Sequence, residues 1–133
     1  MGLDYGDKTI GVAISDKLGW TAQNKGVIRR KNLSDDFAEL EEYIEEYEVD
    51  EIIVGLPKNM DGTMGKRVDK TKQFINFLKK RLDIPINLWD ERLTSKEAEN
   101  ILLEADLSRA KRKKYVDQIA AAIILQSYLD ANS

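Results

Sequence analysis

The sequence predicts an α/β domain built on a mixed five-stranded sheet with helices on both faces. Three β-rich segments come before any helical pattern, and two short apolar segments then alternate with amphipathic helices. Strands joined by short turns pair antiparallel, whereas strands joined through a helix pair parallel. The predicted order is βββαβαβαα, in a single domain over residues 1–133.

The first three strands are predicted to form an antiparallel sheet. Short turns at residues 7–8 and 16–19 join them, so hairpins are the simplest connection. In the second strand Ile10 and Val12 alternate with Gly11 and Ala13, which gives one face large side chains and the other face small ones. The three strands are expected at about residues 3–6, 9–15 and 25–30.

The remaining elements follow from hydrophobic spacing. Ser34 is the predicted N-cap of a first helix, in which Phe37, Leu40 and Ile44 recur at helical spacing. The continuous apolar segment 52–55 predicts a strand buried on both faces. A second helix, a fifth strand and two more helices are expected at about residues 68–82, 86–89, 94–105 and 113–129.

The absence of cysteine and histidine limits the chemistry of the chain. It excludes a disulfide, a thiolate nucleophile, a serine–histidine relay and an ordinary zinc site. A bound metal would need oxygen ligands, which favours Mg²⁺, Mn²⁺ or Ca²⁺. No apolar segment approaches the ~18 residues of a membrane span, and there is no signal peptide. We therefore expect a cytoplasmic protein that does not contact a membrane.

Charge is distributed unevenly, although the net charge is only -3. Residues 34–56 carry ten acids and no base, whereas residues 57–84 carry eight bases and three acids. Basic residues are clustered in that segment and at residues 25–31 and 109–114. Such a cluster either binds a polyanion or is simply the solvent-exposed face of a helix. The predicted nucleic-acid-binding residues are Lys8, Lys58, Lys66, Arg67, Arg92, Arg109, Lys111, Arg112, Lys113 and Lys114.

Asp4 lies inside a predicted strand, where aspartate is disfavoured, and is flanked by Gly2 and Gly6. One interpretation is a carboxylate that accepts hydrogen bonds from backbone N–H groups of the turn at residues 6–9. The other is a metal ligand held at the centre of the sheet, since glycines let a metal or a phosphate approach the backbone closely.

Two further acids, Asp90 and Glu91, come at the carboxyl end of the fifth strand, where ligands bind in open α/β sheets. Side chains alternate along a strand, so only one of the two is expected to join Asp4. The structural interpretation is an ion pair with Arg92 and favourable negative charge at the start of the next helix.

Asp117 is expected in the first turn or so of the last helix, on the same inward stripe as Ala121 and Ile124. Small alanines beside it would let the helix lie close to the sheet and bring this carboxylate toward the strand ends. The alternative is that Asp117 only complements the helix dipole.

The glycine-containing loop at residues 58–66 is similar to a phosphate-binding P-loop but does not match it. Met60 stands where the motif requires glycine, and Arg67 stands where it requires serine or threonine. What remains is a loop with Lys58 and Lys66 beside Arg67, suited to a phosphate backbone or to an ordinary surface.

Four motifs in the sequence resemble those of one known family. They are residues 2–13 (GLDYGDKTIGVA), residues 54–57 (VGLP) followed by Asp61-Gly62, residues 89–94 (WDERLT) and residues 116–121 (VDQIAA). In this order they resemble the YqgF/RuvX family over nearly the whole chain. The first strand begins almost at Met1, whereas relatives usually have a few more apolar residues there, which would loosen the setting of Asp4.

The resemblance implies a ribonuclease H-like fold related to the RuvC resolvases, and a nuclease that matures the 5′ end of pre-16S ribosomal RNA. By motif position, Asp4, Glu91 and Asp117 match the family's acidic catalytic residues. These carboxylates would bridge two Mg²⁺ (or Mn²⁺) ions, one activating water and the other stabilising the leaving oxygen.

Two other functions stay open at this point, and the chain length argues against a third. A Holliday junction resolvase would apply the same chemistry to branched DNA as a homodimer, whereas an RNA nuclease could be a monomer or a homodimer. A non-catalytic nucleic-acid-binding module would bind without regard to divalent ions. An ATPase of the sugar-kinase and actin-like class would need a second similar domain, for which 133 residues leave no room.

Overall fold

The computed structural model describes residues 1–56, 66–90 and 109–132. The strands are β1 (Gly2–Tyr5), β2 (Thr9–Ser15), β3 (Ala22–Arg29), β4 (Ile52–Leu56) and β5 (Ile86–Asp90). The helices are α1 (Leu33–Glu46), α2 (Lys66–Lys79) and α3 (Arg109–Ala131). The helix predicted at about residues 94–105 lies outside the described residues.

The five strands form one mixed sheet in the order β3-β2-β1-β4-β5. β1 pairs antiparallel with β2, and β2 with β3, whereas β1, β4 and β5 are parallel neighbours. This confirms the predicted fold class and places β1 at the centre of the sheet. It is the ribonuclease H-like arrangement that the sequence resemblance implies.

The two faces of the sheet differ in the size of their side chains, as the alternation in β2 predicts. Leu3, Ile10 and Val12 face α1 and α2 and form a core with Leu40 and Phe74. On the opposite face small residues allow a close helix. There α3 packs across β1 to β4, and the buried cluster is Ala13, Ile53, Ala121, Ile124 and Leu125.

α1 begins two residues earlier than predicted, because Asn32 and not Ser34 is its N-cap. The Asn32 side-chain oxygen accepts a hydrogen bond from the Asp35 N–H (2.9 Å). Asp36, only 1% exposed, accepts from the Lys31 N–H (2.9 Å), which fixes the chain entering the helix. Both aspartates also place negative charge at the positive end of the helix dipole.

α3 begins at Arg109, four residues earlier than the predicted start near Lys113. Its C-terminal half is tied to the sheet by side chains: the Trp89 indole N–H donates to the Ser127 hydroxyl (3.0 Å), and the Tyr128 hydroxyl donates to Glu51 (2.9 Å). These bonds fix the height of α3 above the strands. Within the described ranges, no helix combines the length and the apolar character that crossing a membrane requires.

Candidate active site

Asp4 is the one predicted acidic site residue whose side chain the structure describes, and it stands on the central strand. Leu3 and Tyr5 point into the core beneath α1 and α2, so the alternation of β1 turns Asp4 to the α3 face. The residue is half-buried. A carboxylate is therefore held near the middle of the sheet, at the carboxyl end of a strand.

Space beside Asp4 is left by a glycine. Gly11 pairs with Asp4 across β1 and β2, and a methyl group at Gly11 would lie 3.5 Å from the Asp4 Cβ and 3.4 Å from the Ala121 Cβ. On the other side of β1, Leu3 pairs with Val54 of β4, so the next residue of β4, Gly55, is the neighbour of Asp4 in the parallel strand. The sequence predicts that Gly2 lets a metal or phosphate approach the backbone, but the structure shows that Gly2 admits α3 instead, since a methyl group there would lie 2.7 Å from the Leu125 Cβ.

Among the backbone groups and side chains that the structure describes, the Asp4 carboxylate has no hydrogen-bond or ion-pair partner. The structural interpretation required bonds from the turn at residues 6–9, but the Gly6 N–H donates instead to the Thr9 carbonyl (2.8 Å). A half-buried carboxylate inside a strand is costly unless something compensates it. The geometry therefore favours a ligand for Asp4.

Asp117 lies in the third turn of α3, and not in its first turn as the sequence predicts. Two contacts give the direction of α3 along β1. Gly2, at the start of β1, lies against Leu125, since a methyl group there would be 2.7 Å from the Leu125 Cβ. Gly11, which pairs with Asp4 further along β1, lies against Ala121. α3 thus runs antiparallel to β1, and Asp117 is one turn further toward the carboxyl end of the strand. Complementation of the helix dipole, which acts within the first turn, does not explain this position.

β5 ends at Asp90, one residue beyond the predicted end. Trp89 pairs with Gly55, and its ring lies on the α3 face, edge-on to Tyr128 at 5.6 Å between centroids. The sheet thus brings the end of β5 to the same edge as Asp4, two strands away. Glu91 and Arg92 lie outside the described residues.

The predicted nucleic-acid-binding residues fall in three groups. Lys8 is exposed in the β1–β2 turn, four residues after Asp4. The backbones of Lys66 and Arg67 begin α2, and those of Arg109, Lys111, Arg112, Lys113 and Lys114 form the first turns of α3. Lys58 lies outside the described residues.

Arg30 holds the turn that follows Asp4, a role that the sequence did not reveal. Its guanidinium donates to the Gly6 carbonyl (2.6 Å) and the Asp7 carbonyl (3.0 Å). It also lies 4.2 Å from the centroid of the Tyr5 ring, which stacks on Phe74. In the sequence Arg30 is one member of a basic cluster, and nothing there distinguishes a structural arginine from a phosphate contact.

Of the predicted metal-binding set, the structure describes the Asp4 side chain and the backbone of Asp117, and Glu91 lies outside the described residues. Among the described side chains, no three acidic residues come together as a group that could hold a metal ion. The Asp4 carboxylate, an oxygen donor with no partner in the described part of the chain, fits the Mg²⁺ or Mn²⁺ that an oxygen-only site selects.

Comparison with known proteins decides the family. A family model named RuvX and described as Holliday junction resolvase matches residues 1–131. This chain belongs to the RuvX family. Two relatives named "Putative pre-16S rRNA nuclease" support the assignment. The one from Halothermothrix orenii is 60% identical and aligns over 98% of this chain and 93% of its own length. The one from Desulforamulus reducens is 55% identical, over 100% and 97%.

A RuvX relative from Clostridium tetani with the same name is 57% identical over 98% of this chain and 95% of its own length. Among solved structures, a fowlpox virus resolvase in complex with Holliday junction DNA has a TM-score of 0.48 and 11% sequence identity. That match covers 98% of this chain and 95% of the viral chain. The RuvX assignment does not depend on it.

Proposed function

We propose that this RuvX protein is a metal-dependent nuclease that processes the 5′ end of pre-16S ribosomal RNA in the cytoplasm. The observation that carries the proposal is the Asp4 carboxylate, which stands on the central strand beside Gly11 and beneath α3 and has no partner among the described side chains. The proposed substrate is taken from the relatives, because those that are 53–60% identical to this chain are named "Putative pre-16S rRNA nuclease".

Asp4, Glu91 and Asp117 are the residues that would hold the metal. The bound ions, Mg²⁺ or Mn²⁺, would activate water and stabilise the leaving oxygen. Glu91 is chosen over Asp90 because, by motif position, it matches an acidic catalytic residue of the family that the sequence resembles. Asp117 is supported by its position one helical turn before Ala121.

The chain's own residues bind and orient the substrate. Lys8 stands exposed beside the predicted site, and Arg30 fixes its turn through the Gly6 and Asp7 carbonyls. Basic residues of the first turns of α3 and the start of α2 would neutralise phosphates on either side of the scissile bond.

A Holliday junction resolvase is the second candidate, and the description of the matching family model favours it. Cleavage of opposed strands of a junction needs two sites, and therefore a dimer. An RNA nuclease acts with one site, as a monomer or a homodimer.

The test compares two substrates under identical conditions. A 16S precursor fragment with its 5′ extension and a four-way DNA junction are incubated with the protein in Mg²⁺ and in EDTA. We expect Mg²⁺-dependent cleavage of the RNA at a rate at least about tenfold above that of the junction, which is ~1.4 kcal/mol of discrimination. Faster cleavage of the junction by a protein that sediments as a dimer would establish the resolvase. Binding that is insensitive to EDTA, without cleavage, would establish a non-catalytic module.

A further inference from the structure

The turn between β2 and β3 presents two large apolar side chains to solvent. Leu18 is 70% exposed and Trp20 is 71% exposed, the highest values among the large hydrophobic residues that the structure describes. Isolated exposed apolar residues are normal, but two on one short turn are a feature that binding surfaces share. Tryptophan in particular is enriched at binding hot spots.

This turn is rigid. The Asp16 carboxylate accepts hydrogen bonds from the N–H groups of Trp20 (2.7 Å) and Thr21 (3.3 Å), and these bonds hold the pKa of Asp16 below its usual value. From α3, the Gln126 side chain donates to the Trp20 carbonyl (3.0 Å) and accepts from the Ala22 N–H (2.9 Å). A surface fixed before binding loses little conformational entropy when a partner arrives.

The turn borders a cleft of about 920 Å³, which we call the turn cleft. Leu18 forms one side of it, and Tyr47 and Val49, just after α1, form part of the other. Five acids line the turn cleft: Asp16, Glu46, Glu48, Asp50 and Glu51.

The charge of the turn cleft is negative. Within the part of the chain that the structure describes, the basic side chains that line it are Lys17 and Lys25. Burial lowers the pKa of the Met1 amine, which also lines the cleft, to about 6, although Asp50 and Glu51 oppose the shift. Among the lining residues, five carboxylates therefore face two lysine ammonium groups.

The turn cleft and the proposed nuclease site lie at opposite ends of the sheet. Met1 and Glu51, at the amino ends of β1 and β4, line the cleft, whereas Asp4 lies toward the carboxyl end of β1. The two surfaces can therefore be occupied together.

We infer that the turn cleft docks a basic segment of a partner protein, with an apolar side chain of that segment seated against Leu18. Charge complementarity selects this partner, because five carboxylates attract lysine and arginine and repel the phosphates of RNA. Leu18 lines the cleft and is 70% exposed, so it supplies the apolar contact area that charge alone does not.

The test is an NMR titration of the full chain labelled with ¹⁵N. The probe is a 12-residue peptide that alternates arginine with leucine, and the matched control peptide carries glutamine in place of arginine. We expect amide shifts at residues 16–21 and 46–51, with a Kd at least about tenfold lower for the arginine peptide. A 12-nucleotide single-stranded RNA is expected to leave these signals unshifted.

A variant assigns the binding to Leu18. Leu18→Ala changes an exposed side chain that lines the cleft, and should raise the Kd of the arginine peptide at least about tenfold. Val27→Ala, which changes a residue 46% exposed outside the turn cleft, should leave the affinity unchanged.

Three results overturn the inference: an arginine peptide that shifts no signal at the turn cleft, RNA that shifts the same signals, or shifts that depend on protein concentration alone. The last would identify a second copy of the chain as the occupant. None of these measurements involves cleavage, so a failure of the proposed nuclease function leaves this test intact.

Discussion

Asp4 lies directly opposite Gly11 in the antiparallel pair of β1 and β2, and the missing side chain at Gly11 leaves the space beside the carboxylate open. A methyl group there would be 3.5 Å from the Asp4 Cβ and 3.4 Å from the Ala121 Cβ. The same helix closes much more tightly over Gly2, where a methyl group would approach the Leu125 Cβ to 2.7 Å and the Ala121 carbonyl oxygen to 2.9 Å. α3 is thus close to the sheet at Gly2 and leaves room near Asp4.

This difference predicts opposite outcomes for two glycine substitutions. Gly2→Ala should lower the free energy of unfolding by about 1–3 kcal/mol, because backbone and helix must shift to admit the methyl group. Gly11→Ala should change it by less than about 1 kcal/mol, since its methyl group makes ordinary contacts. Urea unfolding of both variants measures the effect, and equal losses would show that α3 does not lie as described.

Glu48 has a positive φ of 50° immediately after α1, a left-handed conformation that favours glycine. Glu48→Gly should raise the free energy of unfolding by about 0.5–1 kcal/mol, because it removes the steric cost that a Cβ incurs there. Glu48→Ala is the matched control: it also removes the charge but keeps the Cβ, and should give no such gain. Equal thermal stability of the two variants would contradict the described end of α1.

The choice between Glu91 and Asp90 has its own test. Glu91→Gln should eliminate metal-dependent cleavage with little change in melting temperature in metal-free buffer, because it removes a charged ligand and keeps the shape. Asp90→Asn should mainly lower stability, by roughly 0.5–2 kcal/mol if Asp90 caps the next helix. An inactive, stable Asp90→Asn protein beside an active Glu91→Gln protein would reverse the assignment.

The basic start of α3 should govern the salt dependence of RNA binding. Each neutralised phosphate releases counterions, so replacing Lys111, Arg112, Lys113 and Lys114 by glutamine should flatten the line of log affinity against log salt. Changing Lys79 and Lys80 to glutamine, at the end of α2, serves as the control. An unchanged slope in the α3 variant would mean that this cluster is only a solvated helix surface.

Most of the fold could be predicted because the spacing of apolar residues over a few neighbouring positions identifies each strand and helix. The alternation of Ile10 and Val12 with Gly11 and Ala13 predicts which face of β2 is crowded, and the structure confirms it. The N-cap of α1 could not be resolved, because Asn32 and Ser34 are both good capping residues only two positions apart. The start of α3 could not be predicted from hydrophobic spacing, because residues 109–114 are mostly lysine and arginine and carry no apolar periodicity.

The candidate site could be predicted as far as single residues carry unusual chemistry. Asp4 stood out because aspartate is disfavoured inside a strand, and the structure leaves it unpaired among the described residues. Arg30 could not be assigned, because its bonds to the Gly6 and Asp7 carbonyls join residues 23 and 24 positions apart. The exposure of Leu18 and Trp20 could not be predicted, because the sequence alone does not show whether an apolar residue in a turn is buried or exposed.

Mg²⁺-dependent cleavage of the 5′-extended 16S precursor by Asp4→Asn protein tests the central claim most directly. Asp7→Asn, which removes an exposed carboxylate three residues away, is the matched control. We predict that Asp4→Asn remains folded and loses about a thousandfold or more in rate, the cost of several kcal/mol of transition-state stabilisation, whereas Asp7→Asn stays near the wild-type rate. A well-folded Asp4→Asn protein that cleaves at the wild-type rate would contradict the account.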